Sequence, residues 1–539
     1  PQSRLKPLLQ NYNVEAKWRF VWYACGTSNK TRRERVSTQT DAVNRPAIPP
    51  GEFMGHPKAL WQLSNIEMWE RFSYYGMRAL LAVYVATTFF GHLGDQANSE
   101  ASLVYGGYTA LVYATGIIGG YIADHVLGYQ RSILLGAIIM AAGLFVLLIE
   151  DLTWFLVGLS LIVAGNGLFK PNISTMIGKL YAPGDVRRDS GFTVFYMGIN
   201  LGAFIAPFIT ASWIGVQFGM KWGFFAAAIG MVLSTLFLEV AKKSLGQVGL
   251  PPEGKEGWGM FFVVGIGALL MAIGVFFLLS ESAILGWLLG FIMTGLIAYF
   301  IISGIKSGDK VQLQRYLAMI ILFVANACFW ALFEQAGSSM NFFAREFVTP
   351  MFGSAEAWQA GGFGIFQSLN PLYILLFAPL FAAIWPWLDK RNMNPSIPRK
   401  FALGLIQVSI GFYILVFAIA NFQNAAGLVP WVFLALCYLL HTTGELCLSP
   451  IGLSMVTKLA AEKETGMAMG GWFLSIAMAQ YVAGLIAAIA SGGGHGPEAG
   501  ASIAQYSDTY MLLFQVGLGF GILYLVIAPL INKLMHGVK

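Results

Sequence analysis

The sequence predicts an all-α membrane protein: two six-helix bundles with two extra helices between them. Three observations carry this. Of 539 residues, 57% are hydrophobic and only 11% charged, with a mean hydropathy of +0.65, whereas soluble domains average about 25% charged residues. The apolar residues gather into fourteen stretches, each near the roughly 20 residues a helix needs to cross a bilayer. Finally, 28 of the 33 Lys and Arg fall in the N-terminal segment, one alternating set of loops and the C-terminus, the bias that membrane orientation imposes.

Residues 1–54 are polar and basic (NKTRRER at 29–35) and are expected to form a disordered cytoplasmic tail. Their apolar patch, Trp18 to Cys25, is too short for a signal-peptide core with a cleavage site. The spans fall near 60–88, 102–123, 131–149, 153–178, 190–213, 222–241, 258–280, 283–304, 313–337, 363–386, 400–420, 429–453, 466–490 and 508–532. Outside the spans, the side opposite the basic loops holds only Lys221 and Arg345. Both termini are therefore expected in the cytoplasm. Spans seven and eight carry no charged residue and join through a short turn at Glu281 and Ser282, which suits peripheral scaffold. Setting them aside leaves an N-terminal bundle (55–242), a linker with the extra pair (243–310) and a C-terminal bundle (311–539), the layout of secondary transporters. The halves also echo each other: GGYIADHVLGYQR (119–131) follows the second span and WLDKR (387–391) its counterpart, so Asp124 and Asp389 hold matching positions.

Charge inside the spans is the informative departure. In EMWERFSYYGMR (67–78), Glu67, Glu70, Arg71, Tyr74, Tyr75 and Arg78 fall at i, i+3, i+4, i+7, i+8 and i+11, one stripe on a helix. Each charged side chain costs about 2.5–3.5 kcal/mol near the bilayer centre, so the stripe must face a watery cavity or opposite charges. Three more ionisable residues interrupt later spans: Lys170 in GNGLFKPNIS, Glu334 in CFWALFEQAGSS and Glu445 in LLHTTGELCLSP. Three cations thus meet four carboxylates, predicting ion pairs between the halves and one carboxylate left over to carry a proton.

Separated basic and acidic groups in one cavity suit a zwitterion. Lys170 and Arg71 would hold a carboxylate and Glu445 an amine, with Asn200 offering a hydrogen bond. Tyr74, Tyr75, Tyr113, Trp330 and Trp472 would form adaptable pockets. Gly198 and Gly202 form a small-xxx-small pair suited to close helix packing, and His441, one turn before Glu445, reads as a packing histidine. Walker, H-E-x-x-H, G-x-S-x-G and dinucleotide-binding patterns are absent from the sequence, so no enzyme is expected. Cys25, Cys328, Cys437 and Cys447 show no metal or redox spacing. No cofactor is expected beyond a coupling proton, and the net charge of +6, spread over loops, does not point to nucleic acid.

E-x-x-E-R-F-S-Y-Y-G at 67–76, GGYIAD at 119–124 and FYMGINLG at 195–202 together resemble the proton-dependent oligopeptide transporter family of the major facilitator superfamily. The resemblance covers residues 55–539, including the two extra spans of bacterial members. It implies a major facilitator fold and a proton-coupled symporter, working as a monomer in the bacterial inner membrane, that imports di- and tripeptides by alternating access. It further implies that Glu67, Glu70 and Arg71 couple protons and bridge to Lys170, with Glu334 sharing that task. Arg78 and Glu334 would pair at the outer gate, and Lys170 and Glu445 would form a second gate pair. Tyr74, Tyr75, Arg78, Tyr113, Asn200, Trp330 and Trp472 would contact peptide, with Arg71 and Lys170 toward its carboxylate, Glu445 toward its amine and Ser449 one turn beyond. Some members couple protons through a histidine in the second helix; SLVYGGYTALVYATG (102–116) has none, which leaves the carboxylates. A plant branch moves nitrate or other small anions, making a small-anion symporter the alternative, against which the acidic Glu445 argues. The E-x-x-E-R motif weighs against a multidrug exporter.

Overall fold

A computed structural model describes residues 51–182, 184–492 and 502–538. Most of the expected tail, with Cys25, lies outside these residues. Its last few residues are ordered, contrary to expectation. Glu52–Phe53 (β1) pairs antiparallel with His56–Pro57 (β2), Phe53 packs edge-on against Trp61, and Glu52 pairs with Arg187 at 2.8 Å. Those contacts hold residues that composition alone reads as loose.

The helices are α1 (Lys58–Thr88), α2 (Ala97–Leu127), α3 (Tyr129–Val146), α4 (Leu152–Lys179), α5 (Arg187–Phe218), α6 (Met220–Leu245), α7 (Gly259–Ser280) and α8 (Ser282–Lys306), followed by α9 (Lys310–Phe347), α10 (Gly362–Asp389), α11 (Ile397–Asn421), α12 (Trp431–Leu459), α13 (Glu462–Ala490) and α14 (Ile503–Leu534). Among the described residues, the thirteen from α2 onward are long and apolar enough to cross a membrane. The expectation of fourteen spans therefore rests on α1. Its 31 residues reach about 46 Å at 1.5 Å per residue, but its charged stripe lowers its hydropathy.

Several helices outrun their apolar stretches. The expected ninth span stops at 337, yet α9 continues to Phe347 after a break: residues Glu334–Gly337 tighten into a 3-10 turn, and Ser338 leaves helical geometry at φ −129°, ψ −96°. Irregular backbone at membrane depth survives only inside protein or beside a cavity, and the break carries Glu334.

Helices α1–α6 pack into one half and α9–α14 into the other; α2 against α13 and α5 against α10 join them. At the first seam Gly106 faces Gly484, where a Cβ on Gly106 would lie 2.6 Å from Gly484 Cα. Gly198 and Gly202 likewise let α5 settle on the α1 backbone at Ser64 and Met68, the close packing their spacing predicts. The extra helices α7 and α8 lie at the periphery, where Phe262, Trp287 and Phe291 are mostly exposed.

Candidate functional site

Helix α1 brings its stripe to the seam between the halves. Glu67, Glu70, Arg71 and Arg78 are all buried. Adjacent in sequence, Glu70 and Arg71 meet in a fork: Arg71 Nη2 donates to Glu70 Oε1 at 2.6 Å and Nε to Oε2. Glu67, one turn earlier, lies 3.3 Å from the same guanidinium through Oε1, while its Oε2 is buried without a hydrogen-bond partner. Arg71 also stands 5.1 Å over the Tyr74 ring.

Two turns along, Arg78 Nη2 donates to Glu334 Oε2 at 2.6 Å, and its Nε donates to Tyr105 Oη at 2.7 Å. This is the expected gate pair, formed across the halves. Tyr105 went unselected by sequence reasoning: in SLVYGGYTALVYATG three tyrosines compete, and only position in the fold identifies the one beside Arg78.

The second expected gate pair is not formed. Lys170 has no ion-pair partner among the described residues; its Nζ lies 4.5 Å from the Tyr113 ring centroid. Glu445 on α12 accepts instead from Asn370 Nδ2 of α10 at 2.9 Å, and the same amide reaches Thr442 Oγ1 at 3.1 Å. The expected bridge from Lys170 to the E-x-x-E-R carboxylates is likewise not formed; both pair with Arg71 instead. Asn370 was also missed, although an Asn before Pro371 inside an apolar span was a signal.

The remaining candidates divide. Tyr74, Tyr75 and Tyr113 lie with the charged stripe, and Tyr75 lies under Arg78 at 5.9 Å. Buried Asn200 donates to the Tyr196 carbonyl of its own helix at 2.9 Å. Trp330 is half-buried on α9 and donates to Asn326 Oδ1 at 3.0 Å. Ser449 is half-buried one turn beyond Glu445. Trp472, expected to line the pocket, is instead buried within the second half between Phe323 and Phe401. Its ring fills the space left by Gly452.

Among the described residues, five hydrogen bonds fasten the halves at one end: Arg78 to Glu334, Asn341 Nδ2 to the Ala79 carbonyl at 3.0 Å, Asn98 Nδ2 to Glu346 Oε1 at 2.9 Å, Ser368 Oγ to the Phe204 carbonyl at 2.8 Å, and Ser212 Oγ to the Gly362 carbonyl at 3.4 Å. All five lie away from the end where α1 begins and α14 finishes. Lys170 and Glu445 form no ion pair with each other.

Two helical halves around a buried, charged seam fastened at one end define a multi-pass membrane carrier of the major facilitator type. The chain belongs to the POT family, whose model matches residues 130–495, and is thus a transporter rather than an enzyme. It is 38% identical over 512 residues to an uncharacterized transporter, YclF, of Bacillus subtilis, covering 91% of this chain and 98% of that one. It is 37% identical to the peptide transporter YePEPT of Yersinia enterocolitica, covering 82% and 88%, and 33% identical to dipeptide and tripeptide permease A of Edwardsiella piscicida, covering 89% and 96%. Among solved structures, a mutant peptide transporter POT in complex with alafosfalin superposes with a TM-score of 0.76 at 35% identity, covering 93% of this chain and 99% of that one. A POT family transporter in complex with 5-aminolevulinic acid gives 0.73 at 30% identity, covering 90% and 99%.

Proposed function

We propose that the protein is a proton-coupled symporter that imports di- and tripeptides by alternating access. The observation that carries this reading is the split of charge across the seam, with Arg71 buried and Lys170 and Glu445 half-buried. A cation without an ion-pair partner among the described residues, Lys170, stands with Arg71 on one half, and a carboxylate held by a neutral amide, Glu445, stands on the other. A zwitterionic peptide bridges such a pair; a small anion would gain Lys170 but be repelled by Glu445. Relatives named as a peptide transporter and as a dipeptide and tripeptide permease support the substrate class.

The proton sits on the Glu67–Glu70 pair. Glu67 Oε2 has no hydrogen bond to lose on protonation, and neutralising either carboxylate loosens Arg71 for the peptide carboxylate. Closure around the peptide then forms the Arg78–Glu334 pair on the outer side, while Lys170 and Glu445, drawn together when that side is open, part toward the cytoplasm. Tyr74, Tyr75, Tyr113, Asn200, Trp330 and Ser449 adapt to the side chains. The loop charge bias supports cytoplasmic termini, placing the fastened end outside, in the inner membrane of a bacterium. The carrier acts as a monomer with no cofactor beyond the proton.

The test is uptake of labelled dialanine into proteoliposomes with an inward proton gradient and a negative interior. Gradient-dependent accumulation, competed by dipeptides and not by free alanine or nitrate, is the expected result. Glu70→Gln should abolish accumulation while leaving peptide exchange. Full concentrative uptake by that variant would sink the coupling scheme, and no peptide movement at all would turn the reading toward anions.

A further inference from the structure

Resting on the alternating-access reading, we infer that the inserted hairpin α7–α8 is a strap: its two arms ride on different halves and it opens about its own turn as the halves rock. The arms pack against opposite halves more than against each other. Ala268 of α7 joins a cluster with Leu127, Leu135, Ile139 and Leu168 of the first half, with Phe261 and Val264 beside it. On the other arm, Leu296 of α8 fills the space over Gly471 of α13, and the Phe300 ring lies 5.1 Å from that of Tyr316 on α9.

Each arm is also tied by polar contacts at the end where the described chain begins and finishes. Leading into α7, Arg131 in the first turn of α3 donates to the carbonyls of Glu256 at 2.5 Å and Gly257 at 3.0 Å, and lies 4.6 Å over the Trp258 ring. Lys255 Nζ returns a bond to the His125 carbonyl at 2.7 Å. Leaving α8, Ser303 Oγ at 2.6 Å and Tyr299 Oη at 3.3 Å donate to the Glu464 carboxylate at the start of α13, which also accepts from Tyr316. Glu464 is buried, so these hydroxyls replace water that the carboxylate has lost.

The turn sits on the pivot. Glu281 leaves helical geometry at φ −125°, ψ 74°. Leu279 and Leu285, on either side of it, both rest on Gly107 of α2, and Tyr481 of α13 presses on Gly286. Gly107 and Tyr481 neighbour Gly106 and Gly484, where the backbones of the two halves meet. A hinge over a pivot, with one arm fixed to each side, must open and close with it. Glu464 is then a positioning residue acting through α8.

Spin labels on the full chain in nanodiscs test this. Phe262→Cys with Ile302→Cys reports the arms, at exposed sites; Thr175→Cys with Met467→Cys reports the halves. With Glu334→Gln as the conformational trigger, both distances should shift in the same direction. A shift between the halves with a fixed distance between the arms overturns the strap and makes the hairpin a passenger on one half. If neither pair moves, the four remaining bonds hold that end shut without Arg78–Glu334, and the crosslinking result upholds or overturns the strap. Joining the two introduced thiols of the Phe262→Cys, Ile302→Cys variant with a reducible crosslinker should stop dialanine uptake, restored on reduction. Unchanged uptake by the crosslinked protein refutes the coupling. Glu464→Ala should broaden the distance between labels at positions 302 and 467 and leave that between positions 262 and 175 unchanged. An unaltered distribution removes the role given to Glu464.

Discussion

Glu445 is held by one amide, and that permits a clean separation of charge from packing. In Glu445→Gln the side-chain carbonyl can still accept from Asn370, so the α10–α12 contact survives while the negative charge does not. A hydrogen bond to a charged group contributes about 1.5–3 kcal/mol, and every 1.4 kcal/mol is roughly tenfold in affinity. Binding of dialanine to the purified variant should weaken roughly 10–100-fold, while an N-acetylated dipeptide, lacking the amine, should bind it as it binds the wild type. Equal losses for both ligands would mean that Glu445 acts through packing. Charge was what the sequence revealed best at this scale: Glu67, Glu70, Arg71, Arg78, Lys170, Glu334 and Glu445 stand out because ionised groups are rare inside apolar spans. The neutral partners were harder to find. Tyr105 and Asn370 take their roles from residues 27 and 75 positions away, and no local pattern distinguishes a tyrosine that holds Arg78 from one that only packs.

At the scale of elements, the α2–α13 crossing combines backbone contact between the halves with the mobility a pivot needs. A Cβ on Gly484 would lie 2.8 Å from Gly106 Cα, against backbone that cannot yield as a side chain does. Overpacking of this kind costs about 1–3 kcal/mol. Gly484→Ala should lower the melting temperature in detergent by a few degrees and reduce uptake more than peptide binding; unaffected uptake would show that the crossing tolerates separation. The β1–β2 hairpin answers to pH instead. His56 Nδ1 lies 2.8 Å from Tyr181 Oη, and burial, with the Arg187 cation beside it, lowers its pKa below the ordinary 6.5. The folded state therefore favours neutral His56, and its contribution is present above about pH 6.5 and lost as pH falls below that value. Wild type should lose more thermal stability between about pH 7.5 and 5 than His56→Gln; parallel curves would remove His56 from the account. Neither the hairpin nor the continuation of α9 past 337 was legible beforehand. Polar, basic composition reads as tail, and a broken helix reads as an end, because hydropathy cannot see contacts that restart structure.

The two-half helical architecture was legible because apolar length marks where the thirteen helices α2 to α14 run. The state adopted was not, since one sequence must support both ends of the transport cycle. Here the choice turns on the five bonds that fasten one end, of which Arg78–Glu334 is the one ion pair among the described residues. Removing one partner of a buried pair costs about 3–5 kcal/mol, and moving a two-state equilibrium from 1:99 to 99:1 takes about 5.5 kcal/mol. Glu334→Gln can still accept a hydrogen bond from Arg78, so its effect should fall toward the lower figure. A molecule fastened about 99% of the time would then be fastened roughly half the time. Spin labels at Trp222→Cys and Trp431→Cys, each on the first turn of a helix at the fastened end of opposite halves, should show one short distance in the wild type. The variant should divide between that distance and a longer one, in comparable amounts. A single short distance in both proteins would mean that the four other bonds close this end unaided, and that the ion pair serves binding rather than gating.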